Sequence, residues 1–519
     1  VEITPDQLGS IEKVIDSAFE RMMGFPLNPE SPAAFADDIK KNLHPMIDEA
    51  KEASELWNKL DGLNTTHFGN GERFVVYYKD VVRYLPPFDW WYVWILEEGR
   101  WARDERGIIH EFGKRVVRKI YDEASKASGD ERRKILAKWA IACETPGSVN
   151  QMLEIARSTP SIVIMPDVLD PDSSLINLRN GYYSFVDHHI HPHEKRRFFS
   201  MMIPVMYDGA ASCPNWKAFL NRMFQNNTDR EKIIEFIQRA LGYTLTGDTS
   251  ERAIFLMHGL GANGKTVFIR VLEALFGDYG AAVSSATFTT AMATNVRNDL
   301  ARLRGKRFVW ASENSSETVL DEEMIKRISG GDTITCRFLF KEEFEYRPNF
   351  KIWWVFNHKP KIKDATDSIW DRIYLIPCEE RIPVAEQDKH LVDKLIKELP
   401  GIFNWATDGY FKYKRDGGLL APSSVKEATK EYRRDEDLLA DFLDETFQEA
   451  QATLDGLGAD SRMPFRRIWD LWSQWCVVNN EKIRTKTWLG RQLDSRYKKY
   501  HTMKERGYLG LIVKQMASS

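Results

Sequence analysis

At 519 residues the chain has room for about three or four domains and a substantial core. A net charge of −3 leaves nucleic-acid binding open, because a local basic surface can sit on a neutral protein, while 16 Trp exclude a disordered tail. Five scattered cysteines (Cys143, Cys213, Cys336, Cys378, Cys476) without a C-x-x-C pair point to a reduced compartment and no structural zinc. The lack of a membrane-length apolar run or signal peptide then predicts a cytoplasmic protein with no membrane partner.

The chain opens on Val1 rather than Met, which predicts a trimmed product with sequence missing upstream. Residues 1–62 read as polar helices broken at Pro26, Pro29 and Pro32, either a linker or an assembly domain. Residues 63–205 read as an α+β domain. Alternating apolar residues around Trp90, Trp91, Trp94 and Trp101 predict short strands, charged helical periodicity runs from Ile109 to Ala140, and strands return around the Asn180-Gly181 turn. Residues 206–250 form a helical subdomain, patterned from Asn215 to Gly242.

The stretch 251–400 suits an α/β core: a buried strand at Ala253 to Met257 and a helix from Thr266 to Phe276 closed by Gly277. Strands follow at 307–311, 333–340 and 351–356, with a helix near 320–329. Residues 401–461 read as a helical connector, and 435–460 hold nine Asp and Glu with no Lys or Arg. Residues 462–519 form a basic module, with twelve Lys and Arg against four acids over 462–506. Helical spacing at 465–477 and 487–497, then a strand at 508–513, suggests a winged-helix-like unit.

Within RAIFLMHGLGANGKTVFIRVLEALF (252–276), Gly259-Leu260-Gly261-Ala262-Asn263-Gly264-Lys265-Thr266 spells G-x-x-x-x-G-K-[ST] between a strand and a helix. In that context backbone N–H groups converge on phosphate oxygens and the helix N-terminus adds positive potential. Lys265 would reach the β- and γ-phosphates of ATP and Thr266 would ligate Mg²⁺. The bland alternative is a glycine turn. The strand Phe308-Val309-Trp310-Ala311 ends in Ser312-Glu313-Asn314, which puts Glu313 where a water-polarising carboxylate belongs, with or without metal contact, unless it is a solvated strand end. The strand 351–356 ends at Asn357, whose amide can bond both γ-phosphate and water. Arg372, after Trp370-Asp371, is either an arginine finger acting across a subunit interface or a surface stacking partner of Trp370.

The order GLGANGKT, FVWASEN, KRISGGDTITCRFLFKEEFEYRPNFKIWWVFNHKP and WDRIYLIP resembles the superfamily 3 helicases, and more narrowly those of phage, plasmid and poxvirus primase–helicase proteins. The resemblance extends upstream through GNGERF (69–74), LINLRNG (175–181), CPNW (213–216) and RALGYTLTG (239–247), and downstream to PGIFNWATDG (400–409). It covers most of residues 63–435. It implies an AAA+ P-loop core in a homo-hexameric ring that moves along single-stranded DNA at a fork, usually 3′ to 5′. It assigns Lys265, Glu313, Asn357 and Arg372 to the phosphate loop, Walker B, sensor 1 and finger positions. The segment Lys326 to Asn349 corresponds to the family's extra motif ending in a pore hairpin. Lys341 is our choice for the tip, with Arg337 and Arg347 as basic neighbours.

Two departures stand out: Ser312 where relatives often carry a second Walker B acid, and Asp371 where they often carry a second arginine. The first puts metal contact by Glu313 in doubt, and the second leaves Arg372 as the sole finger candidate in the motif. No acidic pair with a later catalytic His is evident, so the chain is not expected to make primers itself; an upstream primase–polymerase domain or protein would be a partner.

The run Asp187 to His193 holds four histidines without a metal-ligand spacing and reads as a polar loop. In the basic module the Trp and Tyr residues read as core, while Arg491, Lys498 and Lys499, with Lys486 and Arg496, would face duplex phosphates. The alternative is a basic cap that binds no DNA. The leading expectation is an ATP-dependent DNA helicase of a mobile-element replication system. The alternative is a DNA-binding initiator or scaffold whose ATP hydrolysis controls assembly without unwinding. A small-molecule kinase fits neither Asn357 nor the long flanking domains.

Overall fold

The computed structural model describes residues 59–60, 62–290, 297–312, 318–339, 341–362, 367–449, 462–479, 481, 483–494, 496–502 and 505–514. It separates into two compact units: one ends at Leu169 and the other holds 96–100 and everything from Asp170 onward.

In the first unit, α1 (His67–Tyr78) starts where the Thr66 hydroxyl accepts from Gly69 N at 3.1 Å. A three-stranded sheet follows in the order β1 (Val82–Leu85), β2 (Trp90–Ile95), β3 (Arg100–Arg103). The helical periodicity of 109–140 resolves into α2 (Ile108–Lys126) and α3 (Asp130–Ala142), because Gly129 turns the chain at φ 91° and Asp130 and Glu131 favour a new helix start. The last helix is α4 (Pro146–Ala156). Phe74, Val82, Val116 and Met152 form its apolar core. Beside them Arg73 pairs with Glu123 at 2.9 Å with both side chains buried, and also donates to Asn64 O at 2.8 Å.

The second unit begins with a meander, β4 (Leu175–Leu178), β5 (Gly181–Ser184) and β6 (His189–His191), and two helices, α5 (Pro214–Met223) and α6 (Arg230–Leu245). Then come β7 (Ile254–His258), α7 (Lys265–Phe276), β8 (Gly280–Ser284), the single turn α8 (Asn298–Ala301), β9 (Phe308–Ser312) and α9 (Glu322–Gly330). A small hairpin, β10 (Ile334–Cys336) and β11 (Phe344–Tyr346), precedes β12 (Lys351–Phe356), α10 (Asp367–Trp370) and β13 (Ile373–Pro377).

Five of these strands form one parallel sheet in the order β13-β7-β12-β9-β8. The interior strands β7 and β12 are apolar on both faces because both faces are covered. On β12, Trp353 and Val355 join a core with α6 and α7, whereas Ile352, Trp354 and Phe356 join a second core with α9. At the opposite end from the β-strand C-termini, two buried cations cap the end of α6: Arg307 donates to Leu245 O at 2.5 Å and Lys351 to Thr246 O at 2.5 Å. Burial holds the Lys351 ammonium well below the usual lysine range.

Of the strand expected over 333–340 the structure keeps Ile334–Cys336 as β10, which pairs antiparallel with β11, while the strand expected at 351–356 is β12, the central parallel strand. The three-residue arm β11 is too short for an alternating pattern to mark it.

Downstream, α11 (Leu391–Ile396) and α12 (Leu399–Asp416) pack on the α6 side, and α13 (Ser423–Asp435) lies along β13, where Thr429 Oγ1 accepts from Leu375 N at 3.0 Å. The C-terminal elements are α14 (Leu438–Thr446), β14 (Phe447–Glu449), β15 (Arg462–Pro464), α15 (Phe465–Val478), α16 (Lys486–Asp494), β16 (Lys499–His501), β17 (Arg506–Leu509) and β18 (Leu511–Val513). Their sheets are ordered β15-β17-β16 and β14-β18 around buried Trp472. The second helix ends at Asp494, short of the 497 read from spacing. No described helix is long and apolar enough to cross a membrane.

Candidate nucleotide site

The parallel register sets which residues share the C-terminal edge of the sheet. His258, the last residue of β7, pairs with Phe356 of β12 and Pro377 of β13, while Ser312 at the end of β9 pairs with Val355. The glycine loop 259–264, Asn357, Ser312 and Cys378 therefore leave adjacent strands at one edge, where open α/β sheets bind ligands.

The loop itself is tightly constrained. Gly264 enters α7 at φ 86°, and Ala262 also sits in the left-handed region, at 52°. A Cβ on Gly259 would lie 2.0 Å from Cys378 O, so only glycine fits there. Asn263, buried, donates its Nδ2 to Cys378 O at 2.6 Å, and Ile382 N donates to Ala262 O at 2.8 Å. Lys265 is buried and donates its Nζ to Gly259 O at 2.7 Å and to Asn263 Oδ1 at 2.8 Å. Burial pulls its pKa below the usual lysine value. A cation held by two neutral oxygens in a glycine loop can exchange them for phosphate oxygens, which supply the missing charge. Thr266 is exposed in the first turn of α7, next to the loop.

On one flank Asn357 is exposed directly after β12. His258 is half-buried beside it, and burial, with the charge of Lys359, lowers its pKa. The strand β9 carries the chain to Ser312, and Glu313 lies outside the described residues. The segment after Asn357 is tied to α13: Lys359 pairs with Asp435 at 2.9 Å, and Ile362 N donates to Glu436 at 3.0 Å. The next residue, Asp437, pairs with Arg496 of the C-terminal module.

Arg372 does not join this group. It precedes β13 at the opposite edge of the sheet, where its carbonyl accepts from Ile254 N at 2.8 Å. Its guanidinium is half-buried, with Nε donating to Ser329 Oγ at 3.1 Å and NH1 to Ser368 O. Burial first, then the nearby Arg252 charge, lowers its pKa. Ser329 lies in the last turn of α9, the helix that leads into the β10–β11 hairpin.

In that hairpin Lys341 and Arg337 are half-buried and Arg347 is exposed; Lys341 N donates to Phe338 O at 3.1 Å. In the C-terminal module Arg491 and Lys498 are exposed, whereas Lys499 pairs with Asp494 at 2.7 Å. The histidine run is held internally: His191 bonds Asp187 at 2.8 Å, His193 bonds Leu178 O at 2.9 Å, and His188 stacks on Phe411. Among the described residues no group of His, Cys, Asp or Glu is placed to hold a metal ion.

Sequence reading missed Asn263 as the side chain bridging Lys265 to β13, and missed Ser329 as the partner of Arg372. For Asn263 the signal was present: an amide inside the glycine loop, next to a lysine that needs an acceptor. Ser329 had no local signal, since it meets Arg372 across 43 residues.

Two families match the chain. One, described as D5 N terminal like, covers residues 71–225, and a family of unknown function, DUF5906, covers 257–372. "Putative helicase L207/L206" of Acanthamoeba polyphaga mimivirus is 27% identical over 277 residues, which is 49% of this chain and 28% of that protein. "Putative helicase 121R" of Invertebrate iridescent virus 3 is 26% identical over 346 residues, 60% of this chain and 36% of that protein. The chain thus matches about a third of those relatives' length. The apo structure of the NrS-1 C-terminal region aligns at 12% identity and TM-score 0.48, covering 84% of this chain and 98% of that one.

Proposed function

The chain belongs to the D5-like superfamily 3 primase–helicase family, and from that premise we propose that it is an ATP-driven, ring-forming DNA helicase of a phage- or plasmid-type replication system. The observation that carries this reading is the phosphate loop on an interior parallel strand, with Asn357 and Ser312 leaving β12 and β9 on one flank of it.

In this account Gly259, Gly261, Ala262, Asn263 and Gly264 shape the loop, and their amides with Lys265 take the β- and γ-phosphates. Thr266 holds Mg²⁺, which neutralises phosphate charge, and Glu313 polarises the attacking water. Asn357 orients that water against the γ-phosphate. Arg372 lies at the far edge of its own sheet, a position suited to the neighbouring subunit's nucleotide and not its own. A closed ring gives every site a neighbour's arginine, and a homo-hexamer of AAA+ cores is the family expectation for that ring.

Ser329 joins Arg372 to the helix that precedes the β10–β11 hairpin. Hydrolysis felt at the interface would therefore move Lys341 and Arg337 along single-stranded DNA, with 3′ to 5′ movement as the family expectation. The C-terminal elements form a winged-helix-like module in this reading. Arg491 and Lys498 meet duplex phosphates, and Lys499 joins them by exchanging Asp494 for DNA. An upstream primase–polymerase domain or protein completes the replication machine.

Lys265→Ala tests the chemistry: ATP hydrolysis should vanish while the fold stays intact, and persistent turnover would remove the loop from its role. Hydrolysis by the wild-type chain without fork unwinding would favour the assembly-control alternative.

A further inference from the structure

A cavity of about 160 Å³ opens between the end of α5 and the segment after β13. Met223, Phe224 and Pro377 line its apolar part, and Asn226, Asn227, Glu379 and Glu380 its polar part. Two of its walls adjoin the phosphate loop. A Cβ on Gly264 would stand 3.7 Å from Met223, and Cys378, between two lining residues, accepts from Asn263 at 2.6 Å and donates its N to His258 O at 2.7 Å.

The sheet order gives the cavity a direction. The loop follows β7, which lies between β12 and β13. If the γ-phosphate faces Asn357 on the β12 flank, the other end of the triphosphate must leave toward β13, where the cavity lies. The volume equals about five waters, the scale of one heteroaromatic ring system. The polar rim is already ordered: Arg222 donates to Glu380 at 2.7 Å and to Glu386 at 2.8 Å, and Asn226 donates to Glu380. Glu380 thus shares the Arg222 guanidinium with Glu386 and has its oxygens engaged. Asn227 uses Oδ1 to accept from Asp229 N at 2.8 Å, which leaves its Nδ2 as a donor, and Glu379 is an exposed carboxylate.

We propose that this cavity holds the nucleobase of the bound triphosphate and reads an exocyclic amino group through Glu379, with Asn227 donating to a ring nitrogen. The assignment rests on the phosphate-loop reading and adds the end of the ligand that the loop does not touch. A base bearing an amine where Glu379 accepts, as adenine does, binds better than hypoxanthine, which presents an oxygen there. An acceptor facing a carboxylate leaves both unpaired.

The test uses the whole chain, with ATP, inosine triphosphate and inorganic tripolyphosphate, which has the phosphates and no base. Glu379→Trp should fill the cavity and raise the KM for ATP about tenfold or more while the inhibition constant of tripolyphosphate stays constant. Glu379→Ala should bring the kcat/KM values for ATP and inosine triphosphate together. An unchanged KM for ATP in Glu379→Trp would overturn the proposal, as would equal weakening of ATP and tripolyphosphate. Failure of the wild-type chain to bind tripolyphosphate or ATP at all would instead refute the phosphate-loop reading beneath it.

Discussion

Arg372→Ala separates action on a neighbour's nucleotide from action on the subunit's own. Ile373 to Pro377 run in register with Ile254 to His258, so Arg372 and Cys378 stand at opposite ends of β13. Six residue steps at about 3.3 Å place them roughly 20 Å apart, beyond the reach of an arginine side chain toward its own loop. Removing the guanidinium takes away bonds to Ser329 and Ser368 O, each worth about 1–2 kcal/mol at this half-exposed position, so the fold should persist. Nucleotide affinity should stay near wild type, while turnover falls by roughly 10³ or more, the scale of a lost arginine finger.

The decisive assay mixes Arg372→Ala with Lys265→Ala subunits, each inactive alone. With random assembly about one interface in four pairs an intact Lys265 with an intact Arg372, so an equal mixture should regain about a quarter of wild-type hydrolysis. No recovery at any ratio, with subunit mixing verified by mass, would refute action in trans. So would turnover by Arg372→Ala alone within tenfold of wild type.

Asn263→Ala removes one of the two acceptors of Lys265 and takes the Asn263 donor from the Cys378 carbonyl. ATP affinity should fall about tenfold and thermal stability should drop by roughly 1–3 kcal/mol, seen by titration and calorimetry; unchanged binding would remove Asn263 from the site. The buried Lys265 has a lowered pKa and only its protonated form attracts phosphate. Affinity for ATP should hold at neutral pH and decline as pH rises through that lowered value, below the usual lysine pKa of about 10.4. The apo fold shows the reverse sign, gaining stability over the same rise because the buried charge is lost. ATP affinity that declines only near the ordinary lysine pKa would contradict this. In the first unit, Arg73→Leu should cost roughly 3–5 kcal/mol by stranding Glu123, and Glu123→Leu added to it should recover part of the loss in chemical denaturation. A double variant less stable than the single one would show that the ion pair is not what the substitution disturbs.

The parallel sheet was legible because its strands are buried on both faces: apolar runs such as Ile254–His258 and Lys351–Phe356 need no alternation to be seen. The phosphate loop was legible because it is local chemistry at fixed spacing. Pairings across long separations were not. Nothing in a window marks Ser329 as the acceptor of Arg372, or Asp437 as the partner of Arg496. The second hairpin arm, Phe344–Tyr346, escaped because three residues carry no period. Sequence alone marked Arg372 as a candidate finger, while its place at the far edge of the sheet, the reason to test it in trans, comes only from the register of β13.

The central claim is that nucleotide hydrolysis drives strand separation. The direct measurement follows release of a labelled strand from a DNA fork carrying both single-stranded tails, with and without ATP. Release by the wild-type chain should require ATP and a 3′ tail on the strand being tracked, and Lys265→Ala should release nothing. Robust ATP hydrolysis with no release from any fork would contradict it.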